Sequence, residues 1–286
     1  MLSTTAASLD RWHYHLAEMA EVVPSYMRKL ERAEKHLADL RTAIDEWSKH
    51  HPYEVHATRH RRRTAFHLVF TEDPINTDIG IIAADLVYNL RSGLDHLAAA
   101  LVLPKNRNST YFPIFFEGVW EPTRATDTEQ QKKERGRWLT ITDTMKPEAV
   151  ALLKKMQPAI SPGGDRVISA LLMLNRLSNT DRHRQLPVFA KALRAPVTSW
   201  REGSRLHAGG DTRTTDPSVV LEDGAELKGL PRRATNVQIR GQPVVAVRVC
   251  ADGKTSTLEL PDSLQTAITV VREHVVAPLM VHIVFG

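Results

Sequence analysis

A chain of 286 residues with 42% hydrophobic residues has enough apolar side chains for a packed core, so composition excludes an intrinsically disordered protein. Lys and Arg total 38 against 33 Asp and Glu, and the net charge of +5 suits a polyanionic partner such as RNA without requiring one. The single cysteine, Cys250, excludes an intramolecular disulfide framework and a cysteine-based zinc site.

The sequence shows no signal for membrane insertion or export. No segment approaches the roughly 20 apolar residues of a membrane-spanning helix. The first residues lack the basic start and uninterrupted apolar run of a signal peptide. Together with the lone cysteine, these features predict a cytoplasmic protein with no membrane partner.

The first part of the chain predicts helices interrupted by one hairpin. Apolar residues at helical spacing predict a first helix over 8–23 and a long amphipathic helix over 25–49. Two β-type segments, 53–60 and 64–70, flank the basic sequence RHRRR and predict a hairpin. The segment 78–103 predicts a central helix, because its apolar residues recur at three- and four-residue steps: Ile79, Ile82, Leu86, Leu90, Leu94, Leu97 and Leu101.

The middle of the chain is mixed. The sequence YFPIFF fits a strand or an extended edge, and the charged sequence TDTEQQKKERGR fits a loop or the polar end of a helix. Pro147 and Asp165 then mark the starts of two further helices, the second of which ends in NRLSNTDRHRQL.

The last third changes in texture. A long loop is predicted over 200–217, antiparallel strands over 219–260, and a final helix from Pro261 onwards. We therefore predict an α+β fold, mainly a helical bundle with an early β-hairpin and a small late antiparallel sheet, closed by a C-terminal helix. The predicted division is a helical body over 1–193 with the hairpin 53–70 inserted, a β-rich subdomain over 194–261, and a helix over 262–286 that returns to the body.

The central helix also carries a second line of residues, which is polar. These residues stand at steps of four, three and four, and share one face of the helix: Asp85, Asn89, Ser92 and His96. A polar line on a mostly apolar helix indicates either a half-solvated helix or a buried polar site.

Beside that line, the sequence Arg91-Ser-Gly-Leu-Asp-His96 resembles the Arg-x4–6-His motif of HEPN-domain ribonucleases. These are α-helical proteins of toxin–antitoxin, antiphage and RNA-processing systems that cleave RNA without metal at a dimer interface. The resemblance implies a homodimer acting on RNA without a cofactor, with His96 as general acid or base and Arg91 as phosphate clamp. Asn89 and Asp95 would support them. An imidazole and a guanidinium suit these roles chemically.

A non-catalytic alternative follows from the same residues. Arg91 and Asp95 have the spacing of an ordinary i, i+4 ion pair. On this interpretation the protein is a helical interaction protein, and its Arg, His and Asp groups only lock two helices together.

A wider pattern joins two parts of the chain. YNLRSGLDHL, FPI, QP and LSNTDRHRQL, within about 78–190, resemble a bacterial family of uncharacterised proteins with LRSxLDHL and NxDKHR-like motifs, which implies no activity. We expect polar groups of the central helix to face Asp181, His183 and Arg184 of the later helix and to form either a buried structural network or a site: Asp85, Asn89, Arg91, Asp95 and His96. The polar end of the later helix carries a supporting set, for which capping of the helix C-terminus is the alternative role: Arg176, Asn179, Asp181, His183 and Arg184.

Two further expectations concern ligands. The hairpin arginines Arg61, Arg62 and Arg63 are candidates for phosphate contacts, and a solvated hairpin tip is the alternative. No HExxH motif or closely spaced ligand triad is present, so we expect no metal site.

Overall fold

The computed structural model describes residues 23–50, 52–59, 64–72, 77–115, 120, 127–158, 165–181, 186–208, 220–227, 230–231, 233–251 and 254–284. The predicted helix over 8–23 falls outside this set except for its last residue. The hairpin arginines at 61–63 and the residues His183 and Arg184 also lie outside it.

The helices and strands alternate in blocks. The helices are α1 (Ser25–Lys49), α2 (Ile79–Ala100), α3 (Glu129–Thr142), α4 (Pro147–Lys155), α5 (Arg166–Asp181), α6 (Asp262–Val270) and the short α7 (Ala277–Met280), with a π-helical stretch at Val271–Val276. The strands are β1 (Tyr53–Arg59), β2 (Thr64–Phe70), β3 (Val188–Glu202), β4 (Arg205–Ala208), β5 (Val220–Glu222), β6 (Thr235–Ala251) and β7 (Lys254–Leu260). The fold is therefore mixed α+β, as predicted.

The chain forms two compact units, each built from separate stretches of sequence. The first unit comprises the described residues within Met1–Ala33, Asn89–Ser169 and Val271–Gly286. The second unit comprises those within Glu34–Tyr88 and Ala170–Val270. Among the helices that the structure describes, none is long and apolar enough to cross a bilayer.

The first unit is helical. Its α3 begins at a capping box, in which the Thr128 hydroxyl accepts from the Gln131 N–H and the Gln131 side chain accepts from the Thr128 N–H. The charged sequence TDTEQQKKERGR was compatible with a loop or with the polar end of a helix, and the capping box shows that most of it is helical. Edge-to-face contacts of Trp138 with Phe115 (6.2 Å between ring centroids) and Trp120 (5.8 Å) pack the inner face of α3.

The second unit holds both sheets. Strands β1 and β2 form the predicted hairpin, in antiparallel register from Tyr53↔Phe70 to Arg59↔Thr64. A five-stranded antiparallel sheet has the order β4-β3-β6-β7, with β5 also paired to β3. A hydrophobic core cluster contains residues from the hairpin and from this sheet: Tyr53, Phe66, Leu68, Leu193, Trp200, Leu227, Ala234 and Ile239.

The late sheet is larger than predicted. Strands β3 and β6 have 15 and 17 residues, and β3 already begins at Val188, before the expected start of the β-rich part at 194. The predicted long loop is wrong over residues 200–208, because Trp200 continues β3 and Gly203, with φ of 62°, turns the chain into β4. Gly203 and Ser204 thus form the turn of a β-hairpin between β3 and β4.

Candidate functional site

The central helix α2 has the two faces that its sequence predicts. Ile79, Leu86, Leu90, Leu94 and Leu97 of the apolar stripe are buried, as is Leu101 beyond the helix, whereas Ile82 is half-buried. The polar line follows the boundary of this buried surface: Asp85 and His96 are exposed, Ser92 is half-buried, and Asn89 is buried. Polar side chains that are buried here need partners inside the protein.

Arg91 and Asp95 hold the backbone of one residue. The Arg91 Nη2 donates to the Phe112 carbonyl at 2.8 Å and lies 3.2 Å from Asp95 Oδ1. The same Asp95 oxygen accepts from the Phe112 N–H at 2.9 Å. Two side chains one helical turn apart therefore satisfy both backbone groups of a fully buried residue, as a neighbouring strand would.

The pair Arg91 and Asp95 forms a first clamp on the extended segment 112–115, and Gln157 forms a second clamp on it. Its Oε1 accepts from the Phe115 N–H at 2.9 Å, and its Nε2 donates to the carbonyls of Pro113 at 3.1 Å and Leu153 at 2.9 Å. Gln157 is fully buried, and Pro113 has no N–H that would need a partner. Segment 112–115 is thus neither strand nor helix, and side chains supply the hydrogen bonds that a sheet would give it.

These clamps explain part of the motif pattern physically. Arg91 and Asp95 belong to YNLRSGLDHL, Phe112 and Pro113 to FPI, and Gln157 to QP, and all of them meet within the first unit. In the same motif, a Cβ added to Gly93 would lie 3.3 Å from the Lys29 Cβ. Gly93 therefore allows helix α1 to approach α2 closely.

A polar cluster adjoins the first clamp. Burial raises the pKa of the Tyr111 phenol above 10.0, while the nearby Arg137 and Arg91 lower it and Glu134 and Asp95 raise it. Tyr111 is half-buried and Arg137 is exposed. The phenol is therefore a neutral hydroxyl at physiological pH, placed in the combined field of two guanidinium groups and two carboxylates.

His96 lies apart from Arg91. Five residues along an α-helix correspond to a rotation of about 140°, so the two side chains leave α2 in different directions. His96 is exposed at the surface, whereas the Arg91 side chain is only 12% exposed. The structure thus joins Arg91 to Asp95 and to the Phe112 backbone, and leaves His96 on the solvent side.

The polar set of the later helix is described only in part. Arg176 is half-buried, Asn179 is exposed, and Asp181 is the last residue of α5. The expected meeting of this set with the polar line of α2 stays a prediction, as do the phosphate contacts of the hairpin arginines. Among the residues that the structure describes, no group of three or more His, Cys, Asp or Glu is placed to hold a metal ion.

Sequence reasoning missed the most buried polar member of the site. Gln157 stands in the QP element of the motif pattern, at the end of an amphipathic helix, and only the tertiary contacts reveal its role. Tyr111 and Arg137 carried no motif at all. The signal that pointed towards Gln157 was its place in a spaced, multi-part pattern.

Comparison of this chain with protein-family models, curated proteins and solved structures found no match.

Proposed function

We propose that this protein is a non-catalytic interaction protein in which Arg91 and Asp95 act structurally. One observation carries the proposal: the Arg91 guanidinium donates to the Phe112 carbonyl at 2.8 Å, and its side chain is only 12% exposed. A phosphate clamp has to present its guanidinium to an incoming ligand. What Arg91 and Asp95 lock in place is an extended segment, where the sequence suggested a second helix.

The partner in this proposal is a second copy of the chain. Helix α2 presents a line of residues at 81, 85, 88, 92 and 96 that are exposed except for the half-buried Ser92. The line includes the large side chains Ile81, 52% exposed, and Tyr88, 59% exposed. If two α2 helices cross antiparallel near residue 90, His96 of one copy lies opposite Asp85 of the other, and the contact occurs twice. A carboxylate that faces an imidazole in two symmetry-related places, beside apolar groups, suits a two-fold symmetric dimer.

Two measurements test this proposal. Incubation of the full chain with mixed RNA and a metal chelator is expected to give no cleavage, and the His96→Ala variant is expected to behave identically. Sedimentation is expected to show a dimer that Tyr88→Lys disrupts, while Arg32→Glu, an exposed change on α1, leaves it intact. A monomeric wild type would contradict the dimer, and RNA cleavage that requires His96 would contradict the non-catalytic role.

A second candidate function is metal-independent RNA cleavage, with RNA as the partner and His96 as the general acid or base. The exposure of His96 supports it, since an acid–base group must reach its substrate. Arg91 would have to leave the Phe112 carbonyl to reach a phosphate. Arg137, which is exposed and near Tyr111, is the cation better placed to bind one.

This candidate predicts cleavage by the wild type that both His96→Ala and Arg137→Gln abolish. Arg201→Gln, an exposed arginine in β3, is the matched control and would keep full activity. Cleavage that survives both active-site changes would point to a contaminating nuclease and exclude the candidate.

A further inference from the structure

The second unit contains a cleft that none of the sequence motifs indicated. It has a volume of about 290 Å³ and is lined by residues of α1, of strands β3, β6 and β7, and of the start of α6. Its apolar lining includes Ile44, Val244 and Leu260, which are 7%, 5% and 6% exposed. This volume lies at the small end of the volumes of ligand-binding pockets. The cleft therefore fits a small metabolite and not a peptide.

Two arginines stand at the cleft, and they differ in their partners. Arg194 is held in place, because its Nη2 donates to Glu259 at 3.0 Å, and Glu259 also binds Lys191 at 2.7 Å. Arg41 instead donates to the neutral side chain of Gln265 at 3.2 Å. No carboxylate of the described residues pairs with Arg41. This exposed guanidinium can therefore donate hydrogen bonds to an anionic group of a ligand.

Two carboxylates balance these cations. Asp45 lies one helical turn after Arg41 and lines the cleft beside it. Asp262 is 69% exposed, and its Oδ2 is 3.8 Å from the Arg194 Nη1, which is beyond hydrogen-bond distance. With two positive and two negative groups, the cleft has no net positive charge to attract a phosphate dianion, but it matches a ligand that carries one charge of each sign.

We propose that this cleft binds a small zwitterion with an aliphatic body, of the class of free branched-chain amino acids. The carboxylate binds Arg41 and replaces Gln265 as its partner. The ammonium group binds Asp45, one helical turn from Arg41, and the aliphatic side chain covers Ile44, Val244 and Leu260. This site is separate from the clamp around Phe112 and does not depend on the function proposed above.

Titration calorimetry on the full chain tests the inference, with L-leucine as the probe. We expect leucine to bind, and 4-methylpentanoate, which lacks the ammonium group, and 3-methylbutylamine, which lacks the carboxylate, to bind at least about tenfold more weakly. Inorganic phosphate should not bind at the same site. Absence of leucine binding, or equal binding of either analogue, would overturn the proposal.

Variants locate the site. Arg41→Gln and Asp45→Asn, both exposed changes, should each weaken leucine binding by about tenfold or more. Arg32→Gln alters an exposed arginine of the same helix that does not line the cleft, and it should bind as the wild type does. Leucine binding that is equal in Arg41→Gln and Arg32→Gln would show that the cleft is not the site. Thermal unfolding of each variant confirms that it is folded.

Discussion

The clamp around Phe112 in the first unit and the cleft in the second unit place the same side-chain types in different environments. In the clamp, the Arg91 guanidinium is 12% exposed and satisfies a buried backbone carbonyl. At the cleft, Arg194 is 34% exposed and Arg41 is exposed beside a neutral amide. The arginine within a recognisable motif therefore binds the protein's own backbone, while the two arginines outside any motif line a cleft that is open to solvent.

The largest expected effect comes from Gln157, the second clamp on segment 112–115. Gln157→Leu keeps a similar volume but leaves the Phe115 N–H and the Pro113 carbonyl buried without partners. We expect the free energy of unfolding to fall by about 4 kcal/mol, since each orphaned group costs about 1–3 kcal/mol. Urea denaturation measures this, and Gln130→Leu on the exposed side of α3 is the control. A loss as small as that of the control would mean that segment 112–115 does not depend on Gln157.

Arg91→Ala tests the first clamp. The change removes the donor to the Phe112 carbonyl and leaves Asp95 without its cation, so we expect a loss of about 3 kcal/mol in unfolding free energy. The neighbouring change His96→Ala, at an exposed position, should alter stability by less than about 0.5 kcal/mol. Equal stability of the two variants would show that the hydrogen bond from Arg91 to the Phe112 carbonyl does not stabilise the fold.

A smaller effect is expected at Glu259, beside the cleft. Hydrogen bonding from Lys191, together with the charges of Lys191 and Arg194, holds its pKa below the ordinary 4.5 despite burial, which acts in the opposite direction. A carboxyl whose pKa is lowered in the folded state stabilises the protein above its unfolded pKa, and this stabilisation disappears as pH falls through the folded pKa.

For Glu259→Gln we therefore expect a loss of about 0.5 kcal/mol at neutral pH, because the ion pairs are about one-third exposed and screened by solvent. The difference from the wild type should vanish once the pH falls below the folded pKa of Glu259. Unfolding curves across this acidic range measure it. A difference that persists unchanged at the lowest pH would mean that packing, and not charge, explains the effect.

Much of the fold could be predicted from local sequence. The apolar stripe of α2, the hairpin 53–70, the helices starting near Pro147 and Asp165, and the late antiparallel strands were all expected, because their periodicity and turn residues act within one element. The extent of β3 and the β3–β4 hairpin were not, since the glycine and serine at 203–204 indicate a turn without indicating what pairs on either side of it.

The sequence by itself predicted the apolar stripe of α2, whose members are buried except for the half-buried Ile82, and it singled out Arg91, Asp95, FPI and QP as parts of one pattern. Only the tertiary structure decided that Arg91 and Gln157 hold the backbone of segment 112–115, and that Arg41, Asp45, Arg194 and Asp262 surround one cleft. The physical reason is range. Helical periodicity reflects contacts between residues a few positions apart. The partner of a buried polar group can lie in a segment far away in the sequence, and only the tertiary structure shows which segment that is.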